Sequence, residues 1–212
     1  MKKNLLAMSV LGLAVVSGSA MAAGAGSPTS AVTNGQLTFN WQGVVPTAPV
    51  TQSTWAFVDG LDMPFIPGTE QLNIVVDPAT KGITATSVKP YDFFIVPVDS
   101  TQSVTPGVPV KRDPAKTLNK VEAFLSSTPV SNGFVGNKQL ALSTAAVATD
   151  GQVAVNLNGQ PLKVGSTNAM DVADNTKEAH VVIDMNAKAA AADVKEGASL
   201  SFVAPVTFAV DI

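Results

Sequence analysis

The chain has 212 residues, 46% of them hydrophobic and 14% charged, with 16 Gly, 14 Pro, one His and no Cys. That is the composition of a globular domain and not of a disordered or collagen-like chain. With 13 basic against 16 acidic residues there is no basic face for nucleic acid. The missing cysteines exclude disulfides and thiol chemistry, and the lone His180 leaves little for metal or acid–base work.

Lys2 and Lys3 open the chain, Leu5 to Val16 form an uncharged apolar run, and Ala20-Met21-Ala22 fits a small-x-small cleavage site. The run is shorter than the roughly 20 apolar residues of a membrane span. Residues 1–22 are therefore expected to be a signal peptide cut after Ala22. Losing Lys2 and Lys3 lowers the 13 basic residues to 11, so the mature chain is more acidic still. No second apolar run of spanning length and no lipidation cysteine comes after it, so export in soluble form is expected. A domain of about 190 residues is large enough to do without disulfides.

After the small residues 23–30, Leu37, Phe39, Trp41, Gly43 and Val45 alternate with Gln36, Thr38, Asn40 and Gln42, one apolar and one polar face of a strand. Further strands are expected over 51–58, 71–76, 83–88, 92–98, 138–143, 152–156, 179–184 and 200–210. They are divided by turn signals such as Asp59-Gly60, Asp77-Pro78, Asp150-Gly151 and Asn158-Gly159. Two segments have helical signals. Asp113-Pro114 precedes Leu118, Val121, Phe124 and Leu125 at helical spacing, and the alanine-rich 186–194 is closed by Gly197. The chain ends on a second alternation: Phe202, Ala204, Val206, Phe208, Val210 and Ile212. The fold class expected is all-β, a sandwich with one or two short helical crossovers.

Few residues offer chemistry. His180 sits in a strand and reads as structural. Asp59-Gly60-Leu61-Asp62 and the Asp171–Asp174 stretch lack the ligand density of a calcium loop and read as turn chemistry. Lys111-Arg112-Asp113 reads as a solvated charged turn, and Trp55 and Phe57 as core. No catalytic residue, metal or cofactor is expected, and the chain does not read as an enzyme.

Periodicity leaves two readings of the first strand open. It can be the first strand of its own sandwich, or a strand that completes a neighbouring molecule. Leu37-Thr38-Phe39-Asn40-Trp41-Gln42-Gly43-Val44-Val45 resembles the N-terminal extension of chaperone–usher pilins. Over most of the mature length the chain is similar to the major fimbrial subunits of enterotoxigenic enteric bacteria called colonisation factors. The stretches that carry this are Val32–Trp41, Lys89–Pro97, Val130–Lys138 and Phe202–Ile212.

The resemblance implies an immunoglobulin-like pilin sandwich, incomplete by one strand and completed by a donor strand. Residues 23–45 would be the N-terminal extension and 46–212 the pilin domain. Leu37, Phe39, Trp41 and Val45 would be the inserted side chains, with Gly43 at a tight position. Phe202, Ala204, Val206, Phe208 and Val210 would edge the acceptor groove and meet the chaperone, and Ile212 would present its carboxylate. The implied function is a major subunit of surface fimbriae, exported through the periplasm and supporting colonisation of host epithelium. The implied partners are neighbouring copies, a periplasmic chaperone, an outer-membrane usher, a minor tip subunit and a host-cell receptor. Many such pilins have a disulfide and a penultimate tyrosine; here there is no cysteine, and Asp211 is penultimate. The other function class left open is a secreted carbohydrate-binding or adhesive sandwich module, as a minor or tip subunit.

Overall fold

A computed structural model describes residues 54–212 except 100, 102, 103 and 106, together with the backbone of the strand Leu37–Asn40. The signal peptide expected at 1–22 lies outside the described residues. So do the rest of the first expected strand beyond Leu37–Asn40 and the start of the second.

In chain order the strands are β1 (Leu37–Asn40), β2 (Trp55–Val58), β3 (Thr69–Val76), β4 (Ile83–Ser87), β5 (Tyr91–Pro97), β6 (Leu118–Leu125) and β7 (Val130–Asn132). They continue with β8 (Ala141–Leu142), β9 (Gln152–Leu157), β10 (Gln160–Pro161), β11 (Met170–Thr176), β12 (Ala179–Ala189), β13 (Ser201–Val203) and β14 (Val206–Asp211). One layer is a nine-stranded sheet running β1-β3-β4-β12-β5-β2, with β9 also paired to β12, and β8 and β10 beside β9. The facing layer is the sheet β11-β6-β14 with the pair β7-β13. Leu72, Phe93, Ile95, Val155 and Ile183 from the first layer share one core with Val121, Ala123, Leu125 and Phe202 from the second. A smaller cluster, Ala56, Val58, Val96 and Val98, lies apart from it.

The all-β class stands, but both expected helices are wrong. The Asp113-Pro114 signal is a turn, its Asp113 carboxylate accepting the Ala115 N–H at 2.9 Å. The chain then enters β6, paired antiparallel to β11 on one side and β14 on the other. Val121, Ala123 and Leu125 alternate inward. In the second segment β12 runs on to Ala189, and only Ala191–Asp193 forms a 3-10 turn. Ala187 and Ala189 are buried at the end of β12, where β4 and β9 pair with it. Among the described residues the helical content is three short 3-10 turns, at Val135–Asn137, Ser166–Asn168 and Ala191–Asp193. No helix among them is long and apolar enough to cross a membrane.

The remaining differences are in extent. The strand expected over 138–143 shrinks to β8, which pairs parallel to β9. The C-terminal strand is divided at Ala204-Pro205 into β13 and β14, because proline cannot donate to a ladder. β7, β10 and β11 lie outside the expected strands. The Asn158-Gly159 turn has φ of +50° and +78° at its two residues, the primed turn that suits a two-residue hairpin between β9 and β10.

Candidate functional site

One strand from each of the two singled-out stretches, β1 and β13, lies beside the other. β1 pairs antiparallel with β3, with Leu37 opposite Leu72, Thr38 opposite Gln71, Phe39 opposite Glu70 and Asn40 opposite Thr69. It also runs beside β13. Leu37–Asn40 and Ser201–Val203 are thus neighbours at the rim of the nine-stranded sheet. Trp41, Gly43 and Val45 lie outside the described residues.

The C-terminal alternation is one continuous face across the break at Pro205. Phe202, Ala204 and Val206 are buried in the core, while Phe208, Val210 and Ile212 are partly buried against it. Phe202 packs edge-on to Phe134 with ring centres 5.8 Å apart. Phe208 meets Phe57 at 5.4 Å and Phe93 at 5.9 Å, both edge-on. Phe65 stacks on Phe93 at 4.4 Å, and Trp55 caps Phe57 at 5.0 Å. This aromatic group joins β14, an edge strand of its sheet, to β2, an edge strand of the other. Among the described residues only β6 pairs with β14, so its second edge has no ladder partner there.

β3 is the element to which the sequence pattern assigns no role. Leu72 pairs with Leu37 on one side and with Ser87 of β4 on the other. Asn73–Val76 pair with β4 alone among the described residues, leaving their outer edge open. Val75 and Val76 are 55% and 53% exposed there. Two bulky apolar residues exposed on a strand next to polar Gln71 and Asn73 were the available signal. At the far end Asp77 closes the β3–β4 turn: its carboxylate accepts the Ala79 N–H at 2.8 Å and the Thr80 N–H at 3.3 Å. Those bonds hold the Asp77 carboxyl below its usual range.

Elsewhere the polar residues have structural roles. Asp59 accepts the Leu61 and Met63 N–H groups, so that stretch is turn chemistry. Arg112 is not merely solvated. Its Nε and Nη2 lie 2.7 and 2.6 Å from Asp62 Oδ1, and its Nη1 lies 2.5 Å from Glu178. His180 stacks on Phe94 at 4.7 Å with Nε2 2.7 Å from Asp92. Tyr91, an aromatic that a carbohydrate platform could have used, is buried, and its hydroxyl donates to the Gly68 carbonyl at 2.7 Å. Among the described residues no cluster of three His, Cys, Asp or Glu side chains could hold a metal ion.

No family model matches the chain. It is 69% identical over 214 residues, covering 100% of both chains, to a CS5 fimbrial subunit of Escherichia coli.

Proposed function

The chain belongs to the fimbrial subunits, and from that premise we propose that it polymerises by donor-strand exchange after delivery by a periplasmic chaperone to an outer-membrane usher. It is a major structural subunit of a surface fimbrium, joined to other subunits. What is proposed is how the joints are made.

The observation that supports this most is the attachment of β1. The strand is held to the body by a ladder on an edge of β3 and is connected to β2 through residues 41–54. A tight hairpin would commit it to its own domain; a connection of this length does not. An edge that accepts the strand from the same chain accepts the identical strand from another copy, which is the low-cost route to assembly by exchange. In this reading residues 23–45 are the extension and 46–212 the pilin domain. The donor lies in the stretch holding Leu37, Phe39, Trp41, Gly43 and Val45. Each large apolar side chain is worth about 1.5–3 kcal/mol when buried, offset by ordering the segment. The joint is then held mainly by slow release of the strand.

The edge of β14 that has no ladder partner among the described residues is where a chaperone strand would lie, beside Phe208 and Val210, with the Ile212 carboxylate held by basic groups of the chaperone. Contact with a host receptor and a tip subunit would follow from display on the fibre. The test is deletion of residues 23–45, then electron microscopy for fibres and co-purification with the chaperone. Loss of fibres with retained chaperone binding is expected, and fibres of normal abundance would overturn the mechanism.

A further inference from the structure

We infer that the Gln139 side chain guards the outer edge of β7, holding the ladder position that a strand from another copy of the chain would otherwise take. The inference concerns an edge kept out of assembly and does not rest on the strand-exchange reading.

Among the described residues β7 has one ladder partner, β13. Phe202 of β13 lies opposite Ser131, yet both main-chain groups of Ser131 turn the other way. Its N–H donates to Gln139 Oε1 at 2.8 Å, and its carbonyl accepts from Gln139 Nε2 at 2.8 Å. A carboxamide has the donor and the acceptor of a peptide group, so Gln139 stands in for one residue of a second neighbouring strand. By the alternation of an antiparallel ladder, Val130 and Asn132 point their main-chain groups at β13. Ser131 is therefore the residue of β7 whose main chain faces outward, and it is fully buried.

Both sequence neighbours hold the guard in place. Leu140 is buried and donates its N–H to Ser131 Oγ at 2.9 Å. Lys138 pairs with Asp193 at 2.7 Å. Gln139 itself is exposed, so its far side is the surface of the molecule. Pro129, two residues back on the same edge, has no N–H to offer. Two residues on, Gly133 at φ of +91° takes the chain out of the strand. The edge is closed at Ser131 by a side chain and at its two ends by Pro129 and Gly133.

β11, at the edge of the neighbouring sheet, is blunted by more usual means: a bulge between Asp171 and Ala173, and the exposed Asp171 and Asp174. β7 is Val-Ser-Asn, with no bulge and no charge, and its Val130 is 46% exposed. Its protection therefore falls to Gln139. A fibre subunit needs such protection more than a monomer does. Copies fixed along one fibre meet those of a second fibre at many points at once, and contacts too weak to hold a single pair then add up.

Gln139→Ala and Gln139→Glu separate a guard from a residue that only completes a hydrogen-bond set. Both variants lose the amide that donates to the Ser131 carbonyl, so both are expected to lower the Tm by similar amounts. Only alanine leaves the edge open, since a carboxylate still accepts the Ser131 N–H and puts a charge on the edge. Fibres of each variant are compared with wild type by electron microscopy and by the fraction pelleted at low speed. Gln139→Ala fibres are expected to associate side by side, with a pelleted fraction several-fold above wild type, while Gln139→Glu fibres stay dispersed. Dispersed Gln139→Ala fibres overturn the guard. Equal clumping of both variants also overturns it, since association would then follow lost stability and not the open edge. Hydrogen exchange of wild-type fibres needs no variant. Slow exchange of the Ser131 amide is expected, and exchange as fast as in an unstructured peptide overturns the assignment.

Discussion

Gly133 shows how one residue can tie two segments of the fold. It lies just after β7 with φ of +91°, and a Cβ there would lie 2.0 Å from the Ser199 carbonyl oxygen and 3.1 Å from the Leu200 Cα. Those are backbone atoms just before β13, so they cannot turn aside as a side chain could. Gly133→Ala is expected to cost about 3 kcal/mol through steric overlap and positive φ. Thermal unfolding would show it as a fall of about 6–12 °C. Arg112 ties loops by charge instead. Its partners Asp62 and Glu178 are 39% and 49% exposed, so water screens much of the interaction. Arg112→Met is expected to cost about 1 kcal/mol, and the difference from wild type should shrink in 1 M salt, where a Debye length of about 3 Å screens the pair. Equal Tm values at low salt would show that the three groups do not stabilise the fold.

At the scale of elements, β12 explains why the alanine-rich segment misleads. Alanine is the best helix former, but its advantage over ordinary residues is at most about 0.7 kcal/mol each. The segment instead continues an 11-residue strand in which Ala179, Val181, Ile183, Met185, Ala187 and Ala189 all face the core. Small side chains at 187 and 189 let β12 lie close to the opposite layer while β4 and β9 satisfy its backbone. Ala187→Leu, mild in a solvated helix, is expected here to overfill the core by about 1–3 kcal/mol. Calorimetry showing no fall in Tm would argue against that packing. β6 repeats the lesson. Leu118, Val121 and Leu125 have helical spacing, but pairing on both sides by β11 and β14 imposes the period of a strand.

For the whole molecule, among the described residues β14 has a ladder partner on one edge alone. A polymer joined by strands needs a donor, an edge that receives it and a core that stands without the donor's side chains. The shared core from Leu72 to Val206 supplies the last of these. If β3, which holds β1, takes part in the joint between subunits, an inward-facing charge at the end of that strand should block assembly and spare the fold. Val76→Lys is the test, since Val76 is on the face of Leu72 and is 53% exposed. Its unfolding is expected to stay within about 0.5 kcal/mol of wild type, as for ordinary surface changes, while fibre yield falls several-fold. Undiminished fibres would show that the end of β3 is not in the joint.

The all-β class, the alternating faces at both ends of the chain, the Asn158-Gly159 hairpin and the scarcity of reactive groups are all legible in the amino acids alone. Membership among the fimbrial subunits is legible too, in strings such as Lys89–Pro97 that carry no chemistry of their own. These are local properties: alternation, turn residues and composition need no knowledge of a partner. That 118–125 and 186–189 are strands, that Arg112 bridges two loops and that β3 is the edge beside β1 emerge only when the chain is folded. Each depends on residues tens of positions away. A strand's partner is chosen by burial and by the ladder on both of its edges, and those energies outweigh the intrinsic preferences that a single segment reveals.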